Sequence, residues 1–125
     1  TKNYQMKNLL SLLLLSFFLL NCNQKQVVKT ITTLELKALL AKEKIQLLDV
    51  RSPKEVSDGY IETALFANYF DADFVAQAVQ QLDASKPVYL YCRSGNRSGK
   101  SAIILKEKGF EVYNVLGGYK MWSKQ

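Results

Sequence analysis

From residue 27 onward the sequence switches repeatedly between two periodicities. Short β-branched or apolar runs read as strands, and segments with apolar residues three or four apart read as helices between them. Residues 27–31 (VVKTI) open with a strand. Thr32 with Glu35 three residues later forms a capping box, and Leu34, Leu36, Leu39 and Leu40 follow at helical spacing. Residues 45–50 (IQLLDV) read as a second strand ending near Asp49. Pro53 suits the first turn of a short helix that Gly59 stops. A brief strand is predicted around residues 64–66, then a helix capped by Asp71 or Asp73 and running through Leu82. Residues 88–91 (VYLY) form a buried strand. A helix is predicted from about Ser98 to Lys108, closed by Gly109, then a strand over 110–115 and a last helical turn after Gly117 and Gly118. Such alternation implies an α/β fold: a mainly parallel five-stranded sheet flanked by helices. In open sheets of this kind ligands bind beyond the carboxyl ends of the strands.

Residues 1–26 belong to a different regime. Residues 9–20 (LLSLLLLSFFLL) are almost wholly apolar. The run is short of the ~20 residues a spanning helix needs and lacks the polar face of a globular one. It reads as the apolar core of a secretory signal, with Met6-Lys7-Asn8 ahead of it as a start bearing one positive charge. It closes on Leu19-Leu20-Asn21-Cys22, which resembles a bacterial lipoprotein signal and implies lipidation at Cys22. An uncleaved anchor, another cleavage point and a helix of the folded core are the alternatives. The expected organisation is a leader and signal over 1–22, a tether over 23–26 and a domain over 27–125. The chain is then exported, to a periplasmic or cell-envelope location, and meets the membrane through its N-terminal anchor.

Composition narrows the chemistry. There is no histidine, which removes Ser-His-Asp and Cys-His catalysis and leaves no Cys/His cluster for zinc. There are two cysteines, Cys22 and Cys92. If Cys22 carries lipid, Cys92 is the remaining thiol and no structural disulfide forms. The net charge of +6 comes from scattered lysines, without an arginine-rich run. Nucleic acid is therefore not an expected partner, whereas small anions are.

Cys92 leaves the strand of residues 88–91 and enters Arg93-Ser94-Gly95-Asn96-Arg97-Ser98, just before a helix. Gly95 permits a tight curl. The successive amides can then point inward at a helix N-terminus and make an anion cradle around the sulfur. Such surroundings, with Arg93 and Arg97 near, lower a thiol's pKa. Arg93 is expected at the entrance. Arg97 is either a substrate ligand or a clamp through a salt bridge, and Ser94 and Ser98 either donate hydroxyls or cap the helix. Asp49, Arg51, Trp122, the Gly117-Gly118 turn, Tyr89 and Tyr91 are expected to be structural. The cradle suits two reactions: attack on phosphorus of a phosphoester, or attack on the outer sulfur of thiosulfate or a persulfide. Four residues separate Cys92 from Arg97, whereas cysteine phosphatases place five there and make a wider ring.

The segment 92–98 resembles the six-residue active loop of the rhodanese family. Asp49-Val50-Arg51 with Glu55 and Gly59 resembles that family's upstream signature, and Val115-Leu116-Gly117-Gly118 with Trp122 its C-terminal one. The three blocks fall in the family's order and span most of 27–125. The likeness is to small single-domain members, periplasmic or lipid-anchored. The family often has Gly-His-Ile where this chain has Gly59-Tyr60-Ile61. The resemblance implies the three-layer rhodanese-like fold and a sulfurtransferase with Cys92 as nucleophile. Arg93, Ser94, Gly95, Asn96, Arg97 and Ser98 would bind substrate. The donor would be a small anionic sulfur compound and the acceptor an external thiol or cyanide. Neither a cofactor nor a metal is expected, and the protein is expected to be a monomer. A non-catalytic binding module on the same scaffold, and less favourably a phosphatase or arsenate reductase, are the alternatives.

Overall fold

A computed structural model describes residues 27–125; the segments read as signal and tether, and Cys22, lie outside the described residues. Five strands alternate with five helices: β1 (Lys29–Ile31), α1 (Thr33–Lys42), β2 (Gln46–Asp49), α2 (Pro53–Ser57), β3 (Leu65–Phe66), α3 (Phe74–Gln81), β4 (Val88–Tyr91), α4 (Asn96–Glu107), β5 (Val112–Val115) and α5 (Gly118–Trp122). They form one sheet in the order β1-β5-β4-β2-β3, and every pairing is parallel.

Side chains alternate across a strand, so each central strand feeds two cores. On one face Leu48, Leu90 and Val112 pack with Phe74 and Ala78 of α3 and with Ala102 and Leu105 of α4. On the other, Leu47, Tyr91 and Val115 pack with Leu36 of α1 and with Tyr119 and Trp122 of α5. The result is three layers, with strands apolar on both faces because both are covered.

Local chemistry explains the element starts. The Thr32–Glu35 capping box forms as read from the sequence. A second one forms at α2, where Ser52 and Glu55 cap each other and Pro53 takes the first turn. At α3 the expectation of an aspartate cap fails. Asp73 occupies the cap position with a backbone (φ −99°, ψ 22°) outside the extended region that Thr32 and Ser52 use to cap, and makes no side-chain bond to the helix backbone; its carboxylate accepts from Gln77 Nε2 at 2.7 Å. Helix α4 starts at Asn96, two residues before the predicted point, and its cap is Gly95 in the left-handed region (φ 106°) rather than a serine.

The topology places the reactive segment. After β2 the chain moves outward to β3; after β4 it moves the other way to β5. The direction reverses between β2 and β4, and at such a switch point the carboxyl ends of the strands open a crevice. Cys92 follows Tyr91, the last residue of β4.

Candidate active site

The loop between β4 and α4 is only four residues long, Cys92 to Gly95. Gly95 turns it at positive φ, and the turn points the Gly95 amide back at the cysteine. The Gly95 N–H donates to Cys92 Sγ at 3.1 Å. Ser98 Oγ, in the first turn of α4, lies 3.4 Å from the same sulfur. Cys92 is 1% exposed, so its thiol sits at the floor of the loop, deeper than an ordinary reactive cysteine. Burial acts against ionisation of the thiol. The Ser98 hydroxyl and the amides of Ser98, Gly95 and Ser94 outweigh it, and the thiol ionises below its usual range. The groups facing the sulfur are loop amides and a hydroxyl in the first turn of α4, not the arginines that the sequence places nearby.

Amides face inward only if carbonyls face outward, and α5 arranges this. Its N-terminal amides bind the loop from behind: Tyr119 N–H donates to the Cys92 carbonyl at 2.8 Å and Lys120 N–H to the Arg93 carbonyl at 2.9 Å. Gly118 makes the approach possible. A Cβ there would stand 2.5 Å from the Cys92 oxygen and 2.7 Å from the Arg93 carbonyl. The Gly117-Gly118 turn is structural as expected, but what it supports is the loop that carries Cys92.

The arginines divide. Arg97 is held by Glu55 through two bonds, Nη1 to Oε1 at 2.7 Å and Nη2 to Oε2 at 2.8 Å. It also lies over the Phe70 ring, 5.4 Å from the centroid. Of the two roles read from the sequence, the clamp is the one this geometry supports. The Arg97 guanidinium holds the Glu55 carboxyl down to about 2. Glu55 thus joins the α2 cap to the start of α4, 42 residues on. Arg93 and Ser94 of the loop and Asn96 at the start of α4 are exposed, consistent with an entrance.

Beneath the loop lies a buried ion pair. Arg51 Nη2 donates to Asp49 Oδ2 at 2.8 Å and to the Gly59 carbonyl at 2.7 Å, and its guanidinium lies 4.3 Å from the Tyr119 ring centre. Tyr91 Oη accepts from the Ile61 amide at 3.0 Å. These residues tie the ends of β2 and β4 to α5 and are structural, as expected. Tyr60, which stands where histidine is common, is half exposed and packs edge-on against Phe66.

One residue of the site was not singled out from the sequence. Asn114 in β5 donates from Nδ2 to the Gly95 carbonyl at 3.0 Å and accepts the Ser98 hydroxyl on Oδ1 at 2.6 Å. The available signal was a lone amide in an otherwise apolar strand, Val112-Tyr113-Asn114-Val115.

Comparison with known proteins places the site in context. Residues 32–125 match the family model described as Rhodanese-like domain. The putative sulfurtransferase YtwF of Bacillus subtilis is 36% identical over 97 residues, covering 77% of this chain and 91% of that protein. The thiosulfate sulfurtransferase GlpE of Coxiella burnetii is 34% identical over 96 residues, covering 76% and 87%. The crystal structure of a rhodanese-like domain protein from Staphylococcus aureus superposes with a TM-score of 0.69 at 33% identity, covering 76% of this chain and 91% of that one.

Proposed function

The chain belongs to the family of rhodanese-like domains, and from that premise we propose that it is a sulfurtransferase working through a persulfide on Cys92. The observation that carries the reading is the set of donors on one sulfur: the Gly95 amide at 3.1 Å and the Ser98 hydroxyl at 3.4 Å. They favour an anionic sulfur at that position before and after reaction.

The Cys92 thiolate attacks the outer sulfur of thiosulfate or of a persulfide donor. A new S–S bond forms and the donor's own S–S bond breaks; with thiosulfate, sulfite departs with the electron pair. The terminal sulfur of the persulfide is an anion, and the loop amides and Ser98 supply it with donors as they do the thiolate. An external nucleophile, a thiolate or cyanide, then attacks the outer sulfur and Cys92 leaves as thiolate. The cycle is covalent catalysis with ping-pong kinetics. No oxidant or reductant is consumed. The depth of Cys92 favours a slim donor such as thiosulfate over a bulky one. Arg93, Ser94 and Asn96 line the approach, and Arg97 holds the loop rather than the substrate.

The test is sulfite release from thiosulfate, with cyanide as acceptor. The wild-type protein turns over, and Cys92→Ser does not. Equal rates for the two proteins would remove Cys92 from the mechanism. We further propose that the chain is exported and lipid-anchored at Cys22. Metabolic labelling with a fatty-acid analogue should then appear in the wild type and vanish in Cys22→Ala; label persisting in Cys22→Ala refutes the anchor.

A further inference from the structure

We propose that Asn114 is a positioning residue, which through the Gly95 carbonyl and the Ser98 hydroxyl sets the direction of the two donors nearest the Cys92 sulfur. The inference deepens the sulfurtransferase reading, because it concerns the same sulfur. Its own evidence is geometric.

The Gly95 carbonyl can only accept, so the amide edge facing it at 3.0 Å is the Nδ2 edge. That fixes the Asn114 orientation and turns Oδ1 toward Ser98, at 2.6 Å. The Ser98 hydroxyl has one proton and two acceptors within reach: Asn114 Oδ1 at 2.6 Å and Cys92 Sγ at 3.4 Å. With a neutral thiol the nearer oxygen takes it. Once sulfur carries charge, the hydroxyl turns to the stronger acceptor, since bonds to ionised groups are the stronger ones. Asn114 therefore stores the Ser98 donor beside the sulfur in a single rotamer. At its other end it secures Gly95 at the point where the chain turns. The Gly95 carbonyl also accepts the first bond of α4, from Gly99 N–H at 3.1 Å, so Asn114 joins the loop, the helix start and β5.

Gly99 supplies a second observation. A Cβ at that position would stand 3.2 Å from Asn114 Nδ2. The absent side chain leaves room for the amide against the helix, although glycine inside a helix costs about 1 kcal/mol relative to alanine.

The experiment is the pH dependence of Cys92 alkylation by iodoacetamide, in the full chain, for wild type, Asn114→Ala, Asn114→Leu and Gly99→Ala. It requires no sulfur transfer. When the donors to a charged group lose their fixed direction, the thiol midpoint should rise, by about one pH unit if one bond is lost. Asn114→Ala and Asn114→Leu should both show this, the second keeping the volume and adding no charge. Gly99→Ala should show a smaller rise while its unfolding midpoint increases, a divergence that loss of packing alone does not give. An unshifted midpoint in folded Asn114→Leu overturns the proposal, and that uncharged, near-isosteric variant decides should Asn114→Ala not fold. A raised midpoint in a protein that takes no sulfur from thiosulfate would uphold the role of Asn114 and defeat only the sulfurtransferase reading.

Discussion

Replacing Gly118 by alanine tests how the loop is held. Gly118 has φ +53°, and a Cβ there would meet three backbone atoms: Cys92 O at 2.5 Å, and Arg93 C and O at 2.7 Å. None is the end of a flexible side chain, so the loop or α5 must move. The left-handed conformation costs a non-glycine residue about 1–2 kcal/mol. Overpacking against fixed atoms adds about 1–3 kcal/mol, so Gly118→Ala should lose about 2–5 kcal/mol. Gly109→Ala is the control. Gly109 also has positive φ, +96°, but nothing lies within 4 Å of its Cβ position. It should lose only the conformational part, about 1–2 kcal/mol. Urea unfolding measures both losses, and alkylation of Cys92 against pH reads the loop. Gly118→Ala should raise the thiol midpoint, because displacing the Cys92 and Arg93 carbonyls from the Tyr119 and Lys120 amides lets the loop amides rotate off the sulfur. Gly109→Ala should leave it alone. Equal stability losses and equal midpoints in the two variants would refute the claim that α5 orients the loop.

Further outcomes follow from the ion pairs and the thiol. Asp49→Asn strands the buried Arg51 charge, both side chains being under 5% exposed, and should cost about 3–5 kcal/mol in urea unfolding. Glu55→Gln breaks a pair whose side chains are 18% and 30% exposed, so screening limits the loss to about 1 kcal/mol. Its pH dependence has a fixed sign. The folded Glu55 carboxyl lies at about 2, held down first by Arg97, against ~4.3 unfolded. The gap between wild type and Glu55→Gln should be full above about pH 5 and close as pH falls through 2. A gap that widens on acidification contradicts the clamp. In the wild type, iodoacetamide should report a Cys92 midpoint below that of a free thiol, as the donors around the sulfur require; a midpoint above it means that burial prevails.

The sequence was most readable where interactions are local. The Thr32–Glu35 box spans four residues, and its partners announce each other. The parallel sheet followed from alternating elements, because helical crossovers are the compact way to join parallel strands. The active loop was readable because a strand, a cysteine, a glycine and a helix start adjoin in the chain. Asn114 meets Gly95 across 19 positions and Glu55 meets Arg97 across 42. Periodicity carries no signal for such pairs; they exist because the sheet order brings β5 and the end of β2 beside β4. Helix α4 starts two residues before Ser98, where the sequence shows no side-chain cap, because Gly95 caps by conformation and the Ser98 hydroxyl faces the sulfur and Asn114. Asp73 stands at the cap of α3 without capping it, because its backbone conformation, which composition does not reveal, turns the carboxylate to Gln77 instead of the helix amides.

The proposed sulfur transfer requires that Cys92 hold a transferable sulfur. Intact mass spectrometry of the purified protein, before and after thiosulfate, tests it in one step. A gain of about 32 Da that is absent in Cys92→Ser and reversed by cyanide is the expected result. An unchanged mass, with a Cys92 that still alkylates readily, would contradict it and turn the scaffold toward a binding role.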